Sequence, residues 1–405
     1  MSSVVPEGWK LLPIGDVTAF SQGIQVDVEQ HHEKEDDSKV RFVRISDYTK
    51  SHEPPRYIDS SLALKGLVEK DDVVMIRYGE AGRVCRGIVG AIANNLFTIR
   101  PNSILEKEYL FQYLTSKEVS QRIGELAASS AMPAISFSSL KSINLTVPPL
   151  PEQKKIASIL TSVDEVIENT QKQIDKLQDL KKATMNELLT KGIGHTEFKD
   201  SELGRIPEGW TKERLGKYVK IESGNSFQSS EFSDKGIPIV RISNIRNGKI
   251  DLSNAVFCEE NKRLEKFLIA NGDILLAMSG ATTGKIGKYT CSFKSYLNQR
   301  VGRFKVIDET KVENEYVYQL VRSREFTENT LIDAIGGAQP NISSSQVENV
   351  VYKFPPLPEQ KKIASILTSM DKTIEEKQRK LHQTQSLKKS LMQDLLTGRV
   401  RVTVN

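Results

Sequence analysis

Two short basic turns carry the side chains best suited to chemistry with a polyanion. One is Arg77-Tyr78-Gly79-Glu80-Ala81-Gly82-Arg83-Val84-Cys85-Arg86, and the other runs from Met278 to Lys288. With one residue inserted in the second, Gly82-Arg83 and Arg86 align with Gly284-Lys285 and Lys288. Each turn thus offers a glycine and two cations three residues apart. Cations on a tight turn approach phosphates or base edges closely, so Arg77, Arg83, Arg86, Lys285 and Lys288 are candidate DNA contacts, against the plainer reading of a solvated hairpin. A second pair of segments, Arg44-Ile45-Ser46-Asp47 and Arg241-Ile242-Ser243-Asn244, ends a strand with an arginine and hydrogen-bonding side chains. They add Arg44, Ser46, Arg241, Ser243 and Asn244 to the candidates, and Arg246, Asn298, Gln299 and Arg300 supply further groups of this kind.

Catalytic patterns are missing. Ser279-Gly280-Ala281-Thr282-Thr283-Gly284-Lys285 has three residues between its glycines and Ile286 after the lysine, whereas a phosphate loop needs four and then Ser or Thr. His31, His32, His52, His195 and His382 form no metal or triad spacing. Glu53-Pro54-Pro55-Arg56-Tyr57 resembles in outline the Asn-Pro-Pro-Tyr turn of amino-methyltransferases but lacks its amide. The expectation is a chain that recognises and does not catalyse, with no cofactor or metal of its own.

The elements that must position these turns come in two copies. Pro148-Pro149-Leu150-Pro151-Glu152-Gln153-Lys154-Lys155-Ile156-Ala157-Ser158-Ile159-Leu160-Thr161-Ser162 recurs unchanged from Pro355 to Ser369, an offset of 207. Pro6-Glu7-Gly8-Trp9 returns at Pro207 to Trp210, and Leu188-Leu189-Thr190 at Leu395 to Thr397. Such a period is too long for a solenoid and reads as tandem duplication of a domain plus a helix. In each copy short apolar alternations (Phe42 to Ile45, Val73 to Ile76, Ile274 to Met278) and a helical stretch (about Lys107 to Leu126, about Glu313 to Ile335) predict a mixed α/β, or α+β, globular domain. After the prolines, Ile156, Leu160, Val163, Ile167, Thr170, Ile174, Leu177, Lys181, Thr184 and Leu188 keep a strict 4,3 spacing, and Ile363 to Leu395 repeat it. This predicts two coiled-coil helices of about 58 Å, pairing antiparallel to give a pseudo-two-fold arrangement with a globular domain at each end. The alternative is that each helix packs on its own domain. A further apolar row, with Ile159, Val166 and Leu180 in one helix and Ile366 and Leu387 in the other, would dock a third protein chain or pack on the globular domains. The expected boundaries are 1–150 for the first recognition domain, 151–191 for helix one, 192–205 for a linker, 206–357 for the second domain, 358–397 for helix two and 398–405 for a tail.

Composition agrees. Of 405 residues 57 are Lys or Arg and 52 Asp or Glu, so the net charge of +5 permits a polyanionic partner. Mean hydropathy is −0.38, and no apolar run approaches the length of a membrane span. The first residues have no signal-peptide pattern, and Cys85, Cys258 and Cys291 suit a reducing cytoplasm.

The Pro-Pro-Leu-Pro-Glu-Gln-Lys-Lys-Ile-Ala box before each long helix, the Pro-Glu-Gly-Trp openings and Leu188-Leu189-Thr190-Lys191-Gly192-Ile193-Gly194-His195-Thr196 are similar to the specificity subunits of type I restriction–modification systems. The resemblance covers essentially the whole chain. It implies two target-recognition domains on an antiparallel helical spacer, each reading half of a bipartite, asymmetric site in double-stranded DNA. It also implies assembly with adenine methyltransferase subunits that use S-adenosylmethionine, and with restriction subunits that use ATP and Mg. Competing classes are a stand-alone two-headed DNA-binding regulator, an enzyme and a pure scaffold.

Overall fold

The heptads form two unbroken helices, Leu150–Lys191 and Leu357–Leu395. Each opens with a proline in its first turn, where no intrahelical hydrogen bond is lost, and gives way to a left-handed glycine, Gly192 (φ 70°) or Gly398 (φ 70°). None of the ten 4,3-spaced positions of either helix is exposed, whereas Val166, Leu180, Ile366 and Leu387 are. The computed structural model describes residues 5–50, 52–128, 134–246, 248–331 and 341–404.

Two compact units emerge, one formed by Met1–Lys172 with Gln378–Asn405, the other by Gln173–Lys377. Each unit therefore owns part of both long helices. In the first, Lys388 Nζ lies 2.6 Å from Asp164 Oδ1; in the second, Lys181 Nζ lies 2.6 Å from Asp371 Oδ1. In the first unit Glu152 also takes Arg401, and in the second Lys377 donates to Gln173, so within each unit one helix number falls as the other rises and the helices run antiparallel.

The globular part of the first unit contains two four-stranded sheets. One orders Thr18–Gln22, Leu96–Pro101, Val73–Ile76 and Val84–Cys85; the other orders Arg56–Asp59, Lys39–Val43, Gly90–Ile92 and Leu67–Val68. In the second unit the matching first sheet is six-stranded (Val219–Ser223, Val301–Val306, Ile274–Ala277, Ile286–Lys288, Gly248–Ile250, Ile245–Arg246) and the other again has four strands. The extra paired strands, Ile245–Arg246 and Gly248–Ile250, follow a single 3-10 turn, where the first unit has the helix Ile45–Thr49. A two-stranded clip, Lys10–Pro13 with Asn144–Val147 or Thr211–Arg214 with Val351–Phe354, ties each domain's opening to the strand that leads into its long helix.

The single helical stretches expected from sequence are each broken. Lys107–Thr115 and Lys117–Ala127 meet at Ser116, whose extended backbone (φ −62°, ψ 147°) ends the first helix and starts the second. In the second unit Asn314–Val321 and Arg324–Leu331 are separated by Arg322 and by Ser323, whose hydroxyl accepts from the Phe326 amide, and the stretch from 332 to 335 lies outside the described residues. Breaking the helix turns its apolar faces, Tyr109, Leu110 and Leu114, then Ile123, onto one core that also holds Ile156, Leu160, Leu395 and Leu396. Burying each Leu or Ile contributes about 1.5–3 kcal/mol.

Candidate nucleic-acid interface

The repeated boxes act as latches. Glu152, in the first turn of its helix and 3% exposed, accepts from Trp9 Nε1 at 3.0 Å and from Arg401 Nε and Nη2 at 2.6 and 2.9 Å. Glu359 accepts from Trp210 Nε1 at 3.0 Å and from the Ile193 amide at 2.9 Å, and pairs with His195 Nε2 at 2.8 Å. The next residue seals the helix start: the Gln153 amide donates to the Ile104 and Pro148 carbonyls, and Gln360 to those of Lys311 and Pro355. Sequence reasoning saw these motifs but not their work, because these partners of Glu152 and Glu359 lie 143 or more positions away.

On this frame each domain brings its two candidate segments together. Arg83 Nη2 donates to the Tyr48 carbonyl at 3.1 Å, and in the second unit Thr282 Oγ1 donates to the Ile242 carbonyl at 3.2 Å. The glycine turn thus abuts the turn that ends the neighbouring strand. Gly82 (φ 88°) and Gly284 (φ 83°) are both left-handed, and a Cβ on Gly82 would fall 2.4 Å from Ile123 Cγ2. The Ser279–Lys285 segment leads through a 3-10 turn into a strand, not into the helix N-terminus that would cradle a phosphate.

The candidate side chains divide by how far the fold already satisfies them. Arg44 pairs with Asp47 at 3.2 Å and donates to the Pro54 carbonyl at 2.9 Å, and Asp47 also takes Arg41 at 3.0 Å. Ser46 is half-buried in the short helix. Asn244, 3% exposed, replaces Asp47 in the second unit, and its Oδ1 accepts from the Arg241 amide at 2.9 Å while its Nδ2 donates to Asp251. Arg241 Nη2 reaches the Asn254 carbonyl at 3.4 Å. Ser243 and Arg246 are exposed, and Arg246 Nε donates to the Ser243 carbonyl. Arg83 is tied to Glu80, whose hydrogen bond holds the guanidinium above its ordinary value. Lys285 is exposed with no side-chain partner among the described residues.

Arg86 and Lys288 begin polar chains. Arg86 pairs with Glu108 and lies 3.6 Å from the Phe111 ring centroid. Glu108 accepts from Thr161 Oγ1 (2.9 Å) and Gln112 Nε2 (3.1 Å), and Gln112 also donates to Asp164, the partner of Lys388. In the second unit Lys288 pairs with Glu315, Thr368 donates to Glu315 at 3.1 Å, and Gln319 donates to Thr368 and to Asp371, the partner of Lys181. Glu108, Gln112, Thr161 and Asp164 recur as Glu315, Gln319, Thr368 and Asp371 at the 207-residue offset. That recurrence of polar residues was the available signal, and it went unread. These chains run from the basic turn through a domain helix to both long helices. Among the described residues no cluster of His, Cys, Asp and Glu could hold a metal, and no helix is long and apolar enough to cross a membrane.

Of the apolar row, Ile159 is half-buried and packs against the core of the first unit. Val166 (43%), Leu180 (55%), Ile366 (40%) and Leu387 (54%) are exposed.

Comparison with known proteins agrees with this architecture. The family model for the type I restriction modification DNA specificity domain matches twice, over residues 6–179 and 207–384. The MjaVIII type I restriction enzyme specificity subunit of Methanocaldococcus jannaschii is 31% identical, over 98% of this chain and 94% of its own. The MjaIX specificity subunit of the same organism is 26% identical over 77% of this chain and 75% of its own. The crystal structure of a type I restriction–modification S subunit from M. genitalium superposes with a TM-score of 0.64 at 16% identity, covering 96% of each chain, and so shares the fold. The duplicated domains, their latched antiparallel helices and the double family match together make this chain a member of the type I restriction–modification DNA specificity subunits.

Proposed function

We propose that each globular domain reads one half of a bipartite, asymmetric site in double-stranded DNA, and that the paired helices set the spacing of the halves and dock adenine methyltransferase subunits. The observation that carries this reading is a contrast within one chain. The helix-opening boxes are identical over fifteen residues, while the loops beside the basic turns differ in length and charge. A common frame bearing two different recognition surfaces suits two different half-sites. The exposed Val166, Leu180, Ile366 and Leu387 support a protein partner on the helices, since apolar side chains in a row on a charged surface are best covered. On this reading S-adenosylmethionine belongs to the methyltransferase subunits, ATP and Mg belong to the restriction subunits, this chain binds none of them, and the complex works in the cytoplasm.

The test is to insert one heptad in each long helix and map methylated sites on genomic DNA with the partner subunits present. Seven residues preserve the seam and add about 10.5 Å, or about three base pairs at 3.4 Å per pair. The gap between half-sites should lengthen by up to about three base pairs, with the bases read unchanged. An unchanged gap would refute the ruler.

A further inference from the structure

Among the arginines of the first recognition domain without a carboxylate partner among the described residues, Arg122 is exposed on its helix whereas Arg77 is half-buried. Arg41, Arg44, Arg56, Arg83, Arg86 and Arg100 each lie within 4 Å of a carboxylate oxygen. Arg77 has none among the described residues, and its Nε is buried without a hydrogen-bond partner. Its guanidinium carbon instead sits 5.2 Å from the Tyr78 ring centroid and 5.6 Å from that of Phe137. The backbone beneath is fixed from both sides: the Arg77 amide donates to the Asn95 carbonyl at 2.9 Å, and the Ile135 amide donates to the Arg77 carbonyl at 3.1 Å. The residues that follow, Tyr78 to Glu80, are exposed, so the arginine stands at the rim of the basic turn.

The second domain builds the same slot with other side chains. There the Met278 amide donates to the Arg300 carbonyl at 3.0 Å and the Ile342 amide donates to the Met278 carbonyl at 2.8 Å. Met278 fills the slot with an apolar group, 7% exposed, and the cation has moved to its hydrogen-bond partner Arg300, which is exposed and without a side-chain partner among the described residues. One scaffold position thus carries an arginine on one side of a backbone hydrogen bond in the first domain and on the other side in the second.

We propose that Arg77 is the guanine-reading residue of the first domain, donating in bidentate fashion to O6 and N7 of one guanine in the major groove. The proposal deepens the DNA-recognition reading and depends on it. A phosphate is served by any flexible, solvated cation. Arg77 is held at its backbone and over two rings, so the plane of its fork is set before the ligand arrives and little freedom is lost on binding. Among the described residues its guanidinium donates to no acceptor, so the open donors of the fork are left for a ligand to satisfy. Among base edges in the major groove, guanine offers the two acceptors that match the fork. Arg300, displaced across the hydrogen bond, then contributes to the other half-site.

The experiment uses the full chain with its methyltransferase subunits, in wild type and in the R77Q, R77K and R300Q variants, with methylated sites mapped on genomic DNA and melting temperatures recorded. R77Q is expected to lower discrimination at one G·C pair of one half-site by about 5- to 150-fold, with the other half-site and the melting temperature unchanged. R77K is expected to keep binding but not the preference for that pair, and R300Q is expected to leave that half-site intact. A motif unchanged in R77Q would overturn the proposal. So would a uniform loss restored in full by R77K, which marks a phosphate contact, or a loss in both half-sites together with a fall in melting temperature. A wild-type complex that methylates no bipartite site would instead overturn the recognition reading beneath it.

Discussion

Removing Asp371 should break the second unit at its pin. Asp371 Oδ1 takes Lys181 at 2.6 Å, and its Oδ2 takes Arg322 at 2.9 Å and Gln319 at 3.2 Å. Lys181 stands at a seam position and is only 8% exposed. Burial and the charge of Arg322 hold its amine below the ordinary value even with Asp371 beside it. D371L would leave that ammonium buried and unpaired, at a cost of about 3–5 kcal/mol. Spread over a unit that runs from Gln173 to Lys377, at about 2–4 °C per kcal/mol, the second unit should melt about 10 °C lower. The double variant K181M/D371L removes both charges and should recover most of the loss, with Arg322, whose side chain is 25% exposed, left to solvent. In the first unit the corresponding Asp164 and Lys388 side chains are 31% and 18% exposed, so D164L should cost less. Thermal and urea melts of the purified chain decide this. A D371L loss below about 1 kcal/mol, or a double variant no better than the single one, would refute the claim that the pair is a buried pin.

Two other outcomes follow from the same geometry. Gly82→Ala places a side chain on a left-handed backbone 2.4 Å from Ile123 Cγ2 and should destabilise the first domain by about 1–3 kcal/mol, read as a lowered urea midpoint, whereas Gly79→Ala meets no neighbour within 4 Å and should cost less. Burial pushes the Asp371 carboxyl up, but the hydrogen bond from Lys181 and the charges of Arg322 and Lys181 outweigh it, so the group titrates below 3.8. A depressed folded value means stabilisation that is complete above the ordinary carboxyl range and lost as pH falls through the lowered one. The urea midpoint should therefore drop on acidification below about pH 4 more steeply in wild type than in D371N.

Much of the frame was legible because it depends on local spacing. A 4,3 apolar period needs no knowledge of the partner helix, and Ile156, Ile174, Ile363 and Ile374 fall on the buried seam as the pattern requires. The break at Ser116 was visible in principle, since a serine followed by Lys117 and Glu118 is a good helix start, but the apolar periodicity on either side hid it. The state of the cations was not legible. Arg86 and Lys288 have the same spacing from their glycines as any free pair, and the carboxylates that hold them lie 22 and 27 positions away. What separates Arg77 from its neighbours is a missing partner among the described residues and two rings, of which Tyr78 stands in the turn but Phe137 lies sixty residues on in the chain.

The division of both long helices between two compact units bears on how the molecule is made. The second unit is one continuous stretch, Gln173–Lys377, whereas the first needs Met1–Lys172 and also Gln378–Asn405. During synthesis, then, the domain translated first is completed last. Until residues 378–405 leave the ribosome, the seam around Ile156 and Leu160 lacks Leu395 and Leu396, Asp164 lacks Lys388 and Glu152 lacks Arg401. The first recognition domain must wait, with an open apolar face, for a second domain that can already have closed.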